Sequence, residues 1–218
     1  MNFPPITVAI TTFNRDALLK EAVIRLRQNL YYSGKLTYLV SADGDMPPAD
    51  LFAGIPDVTV IPGPNRRFGG NLNNLLKRAT TDLIFQTCED INLLQPLYLD
   101  AHARKLMEDE TAGWVRLMWI GSHDYTARLE GAYWRVSWDS ASLYIPSCRP
   151  HLKHIRFHEY YGLYQENCSA GVVEESFCHA CIGKHCETGA GPDVLVPLIG
   201  VLPDEAWQHT GVGENDVD

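Results

Sequence analysis

Residues 65–92 read NRRFGGNLNNLLKRATTDLIFQTCEDIN, and the order of the parts narrows the folds open to the whole chain. Two arginines and two glycines come first, in Asn65-Arg66-Arg67-Phe68-Gly69-Gly70. Glycine lets backbone approach a ligand closely, and a guanidinium pairs with phosphate. Leu72, Leu75, Leu76 and Ala79 then share one face of a helix. Leu83-Ile84-Phe85 reads as a buried strand that runs into Cys88-Glu89-Asp90. Two carboxylates just beyond a buried strand are costly unless a cation uses them. Magnesium or manganese carrying phosphate is the fitting user, because both favour carboxylate oxygen. In open α/β sheets, ligands gather at the carboxyl ends of the strands. A solvated acidic loop is the plain rival, but it leaves the sequence of basic glycine loop, helix, strand and acids unexplained.

The preceding residues repeat the alternation. Residues 6–10 (ITVAI) form a β-branched strand ending at Thr11-Thr12-Phe13-Asn14-Arg15. Leu18, Ala22, Leu26 and Leu30 recur every fourth residue, which predicts a helix that Asn14 or Asp16 can cap. The N–H groups at its start can hold an anion. Residues 36–40 (LTYLV) are a second strand, with Asp43 at its end in SADGD. A carboxylate there accepts hydrogen bonds from a ribose or base, or else makes an ordinary Asp-Gly turn; the two readings stand level. Residues 58–61 (VTVI) are a third strand. Strand and helix in alternation predict an α/β fold, with a largely parallel sheet and helices on both faces.

A chain of 218 residues with 45% hydrophobic and 21% charged residues can bury the core of one domain. Its net charge of −9 argues against non-specific binding to nucleic acid or an anionic membrane. No run approaches the roughly 20 apolar residues of a membrane span, and no basic n-region opens the chain. The expectation is a soluble, cytoplasmic protein. The second half is less regular: residues 95–110 pattern as a helix, 114–120 as a strand, 133–145 as two short strands and 194–202 as a late strand. Trp134, Trp138 and Tyr144 fall among them and suit stacking on a sugar if exposed. His151, His154 and His158 are spaced for one helical face, with Arg149, Lys153 and Arg156 interleaved. They read as a solvated face, with a phosphate site as the rival. Cys178, Cys181, His185 and Cys186 match a structural zinc set in type and spacing, with Cys168 as a further ligand. The competing reading is a helix over residues 174–183, ended by Gly183, with Cys178 and Cys181 as small core residues.

These motifs together resemble glycosyltransferase family 2, and the resemblance extends over nearly the whole chain. VAITTFNR is similar to the family's first strand and turn, which contacts the nucleotide, and Asp43 falls on an aspartate after the second strand. NRRFGGNLNNLL resembles the segment N-x-G-F-G-G-A-x-N, with Asn73 at its last asparagine and Arg67 where glycine is usual. CED stands at the acidic metal motif, with Cys88 in place of its first acid. Glu174 and Phe177 match a catalytic carboxylate followed by an aromatic residue, with Glu175 as the rival. HTG resembles the family's histidine-containing end.

The resemblance implies a single GT-A (Rossmann-like) domain over residues 1–218. Residues 1–92 would be the nucleotide-binding half and residues 93–218 the acceptor-binding and catalytic half. The central sheet would be mostly parallel, with a smaller antiparallel portion in the C-terminal half. It implies a nucleotide-sugar donor, a UDP-sugar first among them, held by Thr11, Thr12, Asn14, Arg15, Asp43, Arg66, Gly69, Asn73 and Glu89. Asp90 and His209 would hold Mn2+ or Mg2+, and Glu174 or Glu175 would be the base of an inverting transfer. Asp139 and Glu166 stand next in line for that role. Trp119, Trp134 and Trp138 are candidates for the acceptor side. The acceptor would be a hydroxyl of a glycan, a lipid-linked sugar, a protein or a modified DNA base. Nucleotidyl transfer to a sugar phosphate and a zinc-stabilised binding module are the alternatives.

Overall fold

The structure is a computed structural model and describes residues 3–118, 127–138, 146–188, 195–200 and 206–210. The first half consists of β1 (Ile6–Thr12), α1 (Asp16–Asn29), β2 (Leu30–Tyr31), β3 (Leu36–Ala42), β4 (Val58–Pro62), α2 (Arg67–Arg78) and β5 (Leu83–Cys88). The second half begins with β6 (Ile91–Leu93), β7 (Leu97–Tyr98), α3 (Asp100–Glu108), β8 (Ala112–Arg116), β9 (Ala127–Glu130) and β10 (Tyr133–Val136). It continues with β11 (His151–His154), α4 (Arg156–Tyr161), α5 (Ala170–Thr188), β12 (Val196–Gly200) and β13 (Trp207–His209).

Among the described residues the main sheet runs β4-β3-β1-β5-β11-β8-β12-β10-β9. β4, β3, β1 and β5 are parallel neighbours. β11 is antiparallel to both β5 and β8, β12 is parallel to β8, and β10 is antiparallel to β12 and β9. The expected α/β architecture is therefore present, with a parallel half formed by β4, β3, β1 and β5; the antiparallel pairings lie among the later strands, which make up as much of the sheet. The register sets Thr12 beside Ala42 and Thr11 beside Cys88, so β1, β3 and β5 end along one edge.

Side-chain alternation explains the two faces. Ile6, Val8 and Ile10 pack with Leu19, Val23 and Leu26 of α1 and with Leu106 of α3. Ala9 and Ile84 join Leu72 and Leu75 of α2 and Val173 and Phe177 of α5 on the other face. Each Val, Leu, Ile or Phe side chain among them, fully buried, contributes about 1.5–3 kcal/mol.

Several local expectations need correction. The buried stripe of α1 is Leu19, Ala22, Val23 and Leu26, while Leu30 belongs to β2. Neither Asn14 nor Asp16 caps α1: Arg15 is at the cap position and no side chain closes it. Asn14 instead adopts φ 52°, and its Oδ1 accepts from the Asp45 N–H at 2.8 Å. α3 starts at Asp100, because Leu97 and Tyr98 pair with β2. α5 runs past Gly183 to Thr188.

The largest departure is at residues 151–158, which are strand β11 followed by α4 rather than one helix. β11 lies inside the sheet, so His151, Lys153 and His158 are buried and form no solvated face. Lys153 Nζ donates to Gln86 Oε1 at 2.6 Å and meets His158 Nε2 at 2.8 Å and the Tyr164 hydroxyl at 3.2 Å. Trp119, Asp139 and Tyr144 lie outside the described residues.

Candidate functional site

Two adjoining cavities, each of about 410 Å³, open at the edge where β1, β3 and β5 end. Phe13, Phe68, Glu89 and Ala170 line both. The first cavity is completed by Thr11, Thr12, Asp43, Arg67, Asn71 and residues 168–169. The second takes Arg15, Cys88, Asp90, Ile91, Cys148, Arg149, Glu174 and His209.

In the first cavity, polar groups are presented without partners. The Thr11 and Thr12 hydroxyls and Asn71 Oδ1 are buried and make no hydrogen bond, although Asn71 Nδ2 donates to the Thr12 carbonyl at 3.2 Å. Buried orphans of this kind are costly unless a ligand completes them. Asp43 stands at the end of β3, and its Oδ1 accepts from the Asn65 N–H at 2.7 Å. Burial raises its pKa above the usual carboxylate range, against the lowering effect of the Asn65 and Arg67 N–H groups.

The second cavity collects charge. Arg15, leading into α1, reaches Asp90 Oδ2 at 3.4 Å and Glu89 Oε1 at 4.0 Å. β13 pairs antiparallel with β6, which brings His209 Nε2 to 3.4 Å from Asp90 Oδ2. The Thr210 N–H and hydroxyl both donate to the Asp90 carbonyl, fixing that strand end. Asp90 Oδ1 is buried and unpartnered. Burial, reinforced by the charge of Asp90, pushes Glu89 up to about 7, with Arg15 opposing. Burial and the two neighbouring carboxylates raise the Cys88 thiol well above its ordinary range, and burial does the same for Cys148, so both remain protonated. Glu174 reaches in from α5, and its Oε1 accepts from the Cys148 N–H at 2.7 Å. Arg149 lines the cavity without a side-chain partner among the described residues.

A hard divalent ion needs few protein ligands when phosphates and water supply the rest. The free Oδ1 of Asp90, with His209 beside it, fits such an ion. Among the described residues no group of three or more His, Cys, Asp or Glu side chains is placed to hold a metal by itself. That removes the zinc set: Cys178 and Cys181 are buried in the packing of α5, while Cys186 is exposed. The spacing of Cys178 and Cys181 belongs to the buried face of one long helix.

The site residues named from sequence divide. Thr11, Thr12, Arg15, Asp43, Glu89, Asp90, Glu174 and His209 converge on the cavities. Asn14, Arg66, Gly69, Asn73 and Glu175 are absent from both linings. Arg66 pairs with Glu166 at 2.9 Å. Asn73 binds the Tyr164 backbone through both N–H and carbonyl, and Glu166 Oε1 at 3.0 Å. A Cβ on Gly69 would stand 1.8 Å from the Gln165 carbonyl oxygen, so this glycine admits protein backbone. Glu175 is exposed, 3.9 Å from His179 on the same helix. Trp138 is buried against Phe157 and Tyr161, and Trp134 is half-exposed on β10; neither lines a cavity. Phe13 and Asn71 were not singled out as site residues by sequence reasoning, and Arg149 entered only through the rival phosphate reading of its segment. Phe13 is 59% exposed, and the one signal the sequence held for it was an aromatic residue just past a buried strand. Asn71 passed as one more polar residue on α2.

No family model matches the sequence, and no curated protein matches it. Solved structures do. The mannosyltransferase PcManGT from Pyrobaculum calidifontis, in complex with GDP-Man and Mn2+, superposes with TM-score 0.57 at 17% identity, covering 93% of this chain and 58% of that one. S. aureus TarS 1–349 in complex with UDP-GlcNAc gives TM-score 0.60 at 14% identity, over 99% of this chain and 62% of the other. The same TarS fragment without a named ligand gives 0.59 over 95% of this chain and 59% of its own. This chain thus spans about three fifths of the length of those it resembles. At such identities the likeness shows the fold, which is the GT-A-like glycosyltransferase fold expected from the sequence motifs.

Proposed function

We propose that this chain transfers a sugar from a nucleotide-sugar donor to an acceptor hydroxyl, with a divalent ion and with inversion at the anomeric carbon. The observation that carries this reading is the continuity of the two cavities. One end offers Asp43, Thr11, Thr12 and Asn71 to a nucleoside; the other sets Asp90, His209, Arg15, Arg149 and Glu174 around the space beyond it. Neighbours of the same fold hold GDP-Man with Mn2+ and UDP-GlcNAc, which supports the reading.

Thr11, Thr12 and Asn71 supply partners for the ribose or base, which also satisfies their own buried polar atoms. Asp90 with His209 would hold Mn2+ or Mg2+, and the ion stabilises the charge of the departing diphosphate when bound. Arg15 and Arg149 add positive charge on the same side. Glu174 takes the proton from the acceptor hydroxyl as that oxygen attacks the anomeric carbon. Cys88 and Cys148, held as thiols, offer no nucleophile. The donor nucleotide thus falls to residues 1–92 and the base to residues 93–218, with His209 returning from the second half to Asp90.

Titration with UDP and GDP, with and without Mn2+, tests the metal. Mn2+ is expected to strengthen nucleotide binding at least about tenfold in the parent. Asp90→Asn should lose that gain while melting as the parent does. An unchanged Mn2+ dependence in Asp90→Asn would remove Asp90 from the role.

A further inference from the structure

The carboxylate suited to the divalent ion already carries a cation of the protein's own. Arg15 Nη1 stands 3.4 Å from Asp90 Oδ2 and 4.0 Å from Glu89 Oε1. His209 Nε2 shares the same Oδ2 at 3.4 Å, and Oδ1 is left buried and unpartnered. A well-formed charge-assisted bond is roughly 2.7–2.9 Å long, so Arg15 is held here by charge and not by close geometry. Among the described residues its side chain has no other polar contact.

The backbone beneath Arg15 is fixed, and the head of its side chain is not. The Arg15 carbonyl accepts from the Leu19 N–H at 2.9 Å, and the preceding Asn14 is tied through Oδ1 to the Asp45 N–H at 2.8 Å. The side chain closes no helix cap, is 31% exposed and lines the cavity shared by Asp90, Arg149 and Glu174. A long side chain on a fixed stem can change partner without moving α1. Electrostatics decides which partner comes next. A divalent ion on Asp90 would face the guanidinium as a like charge, in a partly buried site where salt screens repulsion poorly. An anion that reaches both removes the conflict, and the diphosphate of the donor is such an anion.

We propose that Arg15 makes metal binding at Asp90 depend on the nucleotide. It holds Asp90 while no donor is bound and passes to the diphosphate when the donor enters, which opens Asp90 to Mn2+ or Mg2+. The inference rests on the metal-dependent nucleotide-sugar reading above. It gives Arg15 a role that a simple phosphate contact lacks, the suppression of metal binding when nucleotide is absent. Because coupling is reciprocal, part of the gain in nucleotide affinity that Mn2+ brings would pass through this side chain.

The test measures Mn2+ binding to the full chain from the electron paramagnetic resonance signal of unbound Mn2+, with and without UDP or GDP. The parent should bind Mn2+ weakly alone and more tightly with the preferred nucleotide. Arg15→Met and Arg15→Gln, two neutral side chains, should each bind Mn2+ alone roughly three- to tenfold more tightly than the parent. The further gain on adding nucleotide should shrink by about the same factor. Arg15→Lys, which keeps the charge, should behave as the parent does. Unchanged affinity for Mn2+ alone in the neutral variants, with weaker nucleotide binding, would reduce Arg15 to a phosphate contact and overturn the proposal while leaving the metal reading standing. Weaker binding of Mn2+ alone would show that Arg15 positions Asp90 for the ion, and would overturn it too. If the parent binds no Mn2+ with or without either nucleotide, the metal reading fails and the proposal fails with it.

Discussion

Glu174 and Glu175 differ by one position and face different surroundings, because α5 turns successive side chains about 100° apart. Glu174 lines the cavity and accepts from the Cys148 N–H; Glu175 lies out in solvent beside His179. Glu174→Gln should lower turnover by roughly 10²–10⁴-fold with nucleotide affinity unchanged, and Glu175→Gln should turn over like the parent. Parent-like turnover in both variants would place the base elsewhere. Gly69 shows how far a single residue could be read from sequence. Its need for close approach was legible, but what approaches was not: it meets the Gln165 carbonyl, 96 positions along the chain. Gly69→Ala should therefore cost on the order of 1–3 kcal/mol by forcing α2 away from that segment. Gly183→Ala, in open space inside α5, should gain about 0.5–1 kcal/mol. Urea denaturation of both variants checks the pair, and equal effects would contradict this account of Gly69.

The element that matters most to stability against pH is β11. It threads the sheet between β5 and β8 and buries Lys153 with no carboxylate partner among the described residues. Gln86 faces it from β5, His158 from α4, the Trp114 ring from β8 at 5.2 Å, and Tyr164 from the segment before α5. Burial pushes the Lys153 ammonium from 10.5 down to about 7, opposed by Cys148. Between those two values the unfolded chain holds a proton that the folded chain has released. Stability from this group therefore rises with pH across the window and is lowest below about 7. Burial raises the Tyr164 and Cys148 pKa values and lowers that of His158, so all three stay neutral through it. Lys153→Met should flatten the gain seen between pH 7 and pH 10, a difference on the order of a few kcal/mol by chemical denaturation. Parallel pH profiles in parent and variant would contradict the assignment. β11 was illegible because residues 151–158 satisfy helical spacing and carry the charges of a surface. Over so short a stretch, period alone does not separate a strand from a helix. Residues 1–92 read more truly, since each long strand there is an apolar run and each helix has a repeating apolar face, although β2 was missed and the stripe of α1 was misplaced.

Across the whole molecule, long-range pairing builds what no local pattern carries. Asp90 and His209 are distant in the chain and meet because β13 pairs with β6, a closeness that only the family resemblance anticipated. The carboxyl-edge position of Thr11, Thr12, Asp43, Glu89 and Asp90 was legible, because a parallel sheet puts every such strand end on one side. Among the described residues no helix is long and apolar enough to cross a membrane. The central claim is that this edge cleaves a nucleotide-sugar at the anomeric carbon. It is tested most directly by incubating the full chain with a panel of UDP- and GDP-sugars and Mn2+, using water as the acceptor, and identifying the nucleotide released. The account predicts slow release of the nucleoside diphosphate with free sugar, lost in Asp90→Asn and sharply reduced in Glu174→Gln. Release of nucleoside monophosphate with sugar phosphate would place the reaction at phosphorus and contradict the account.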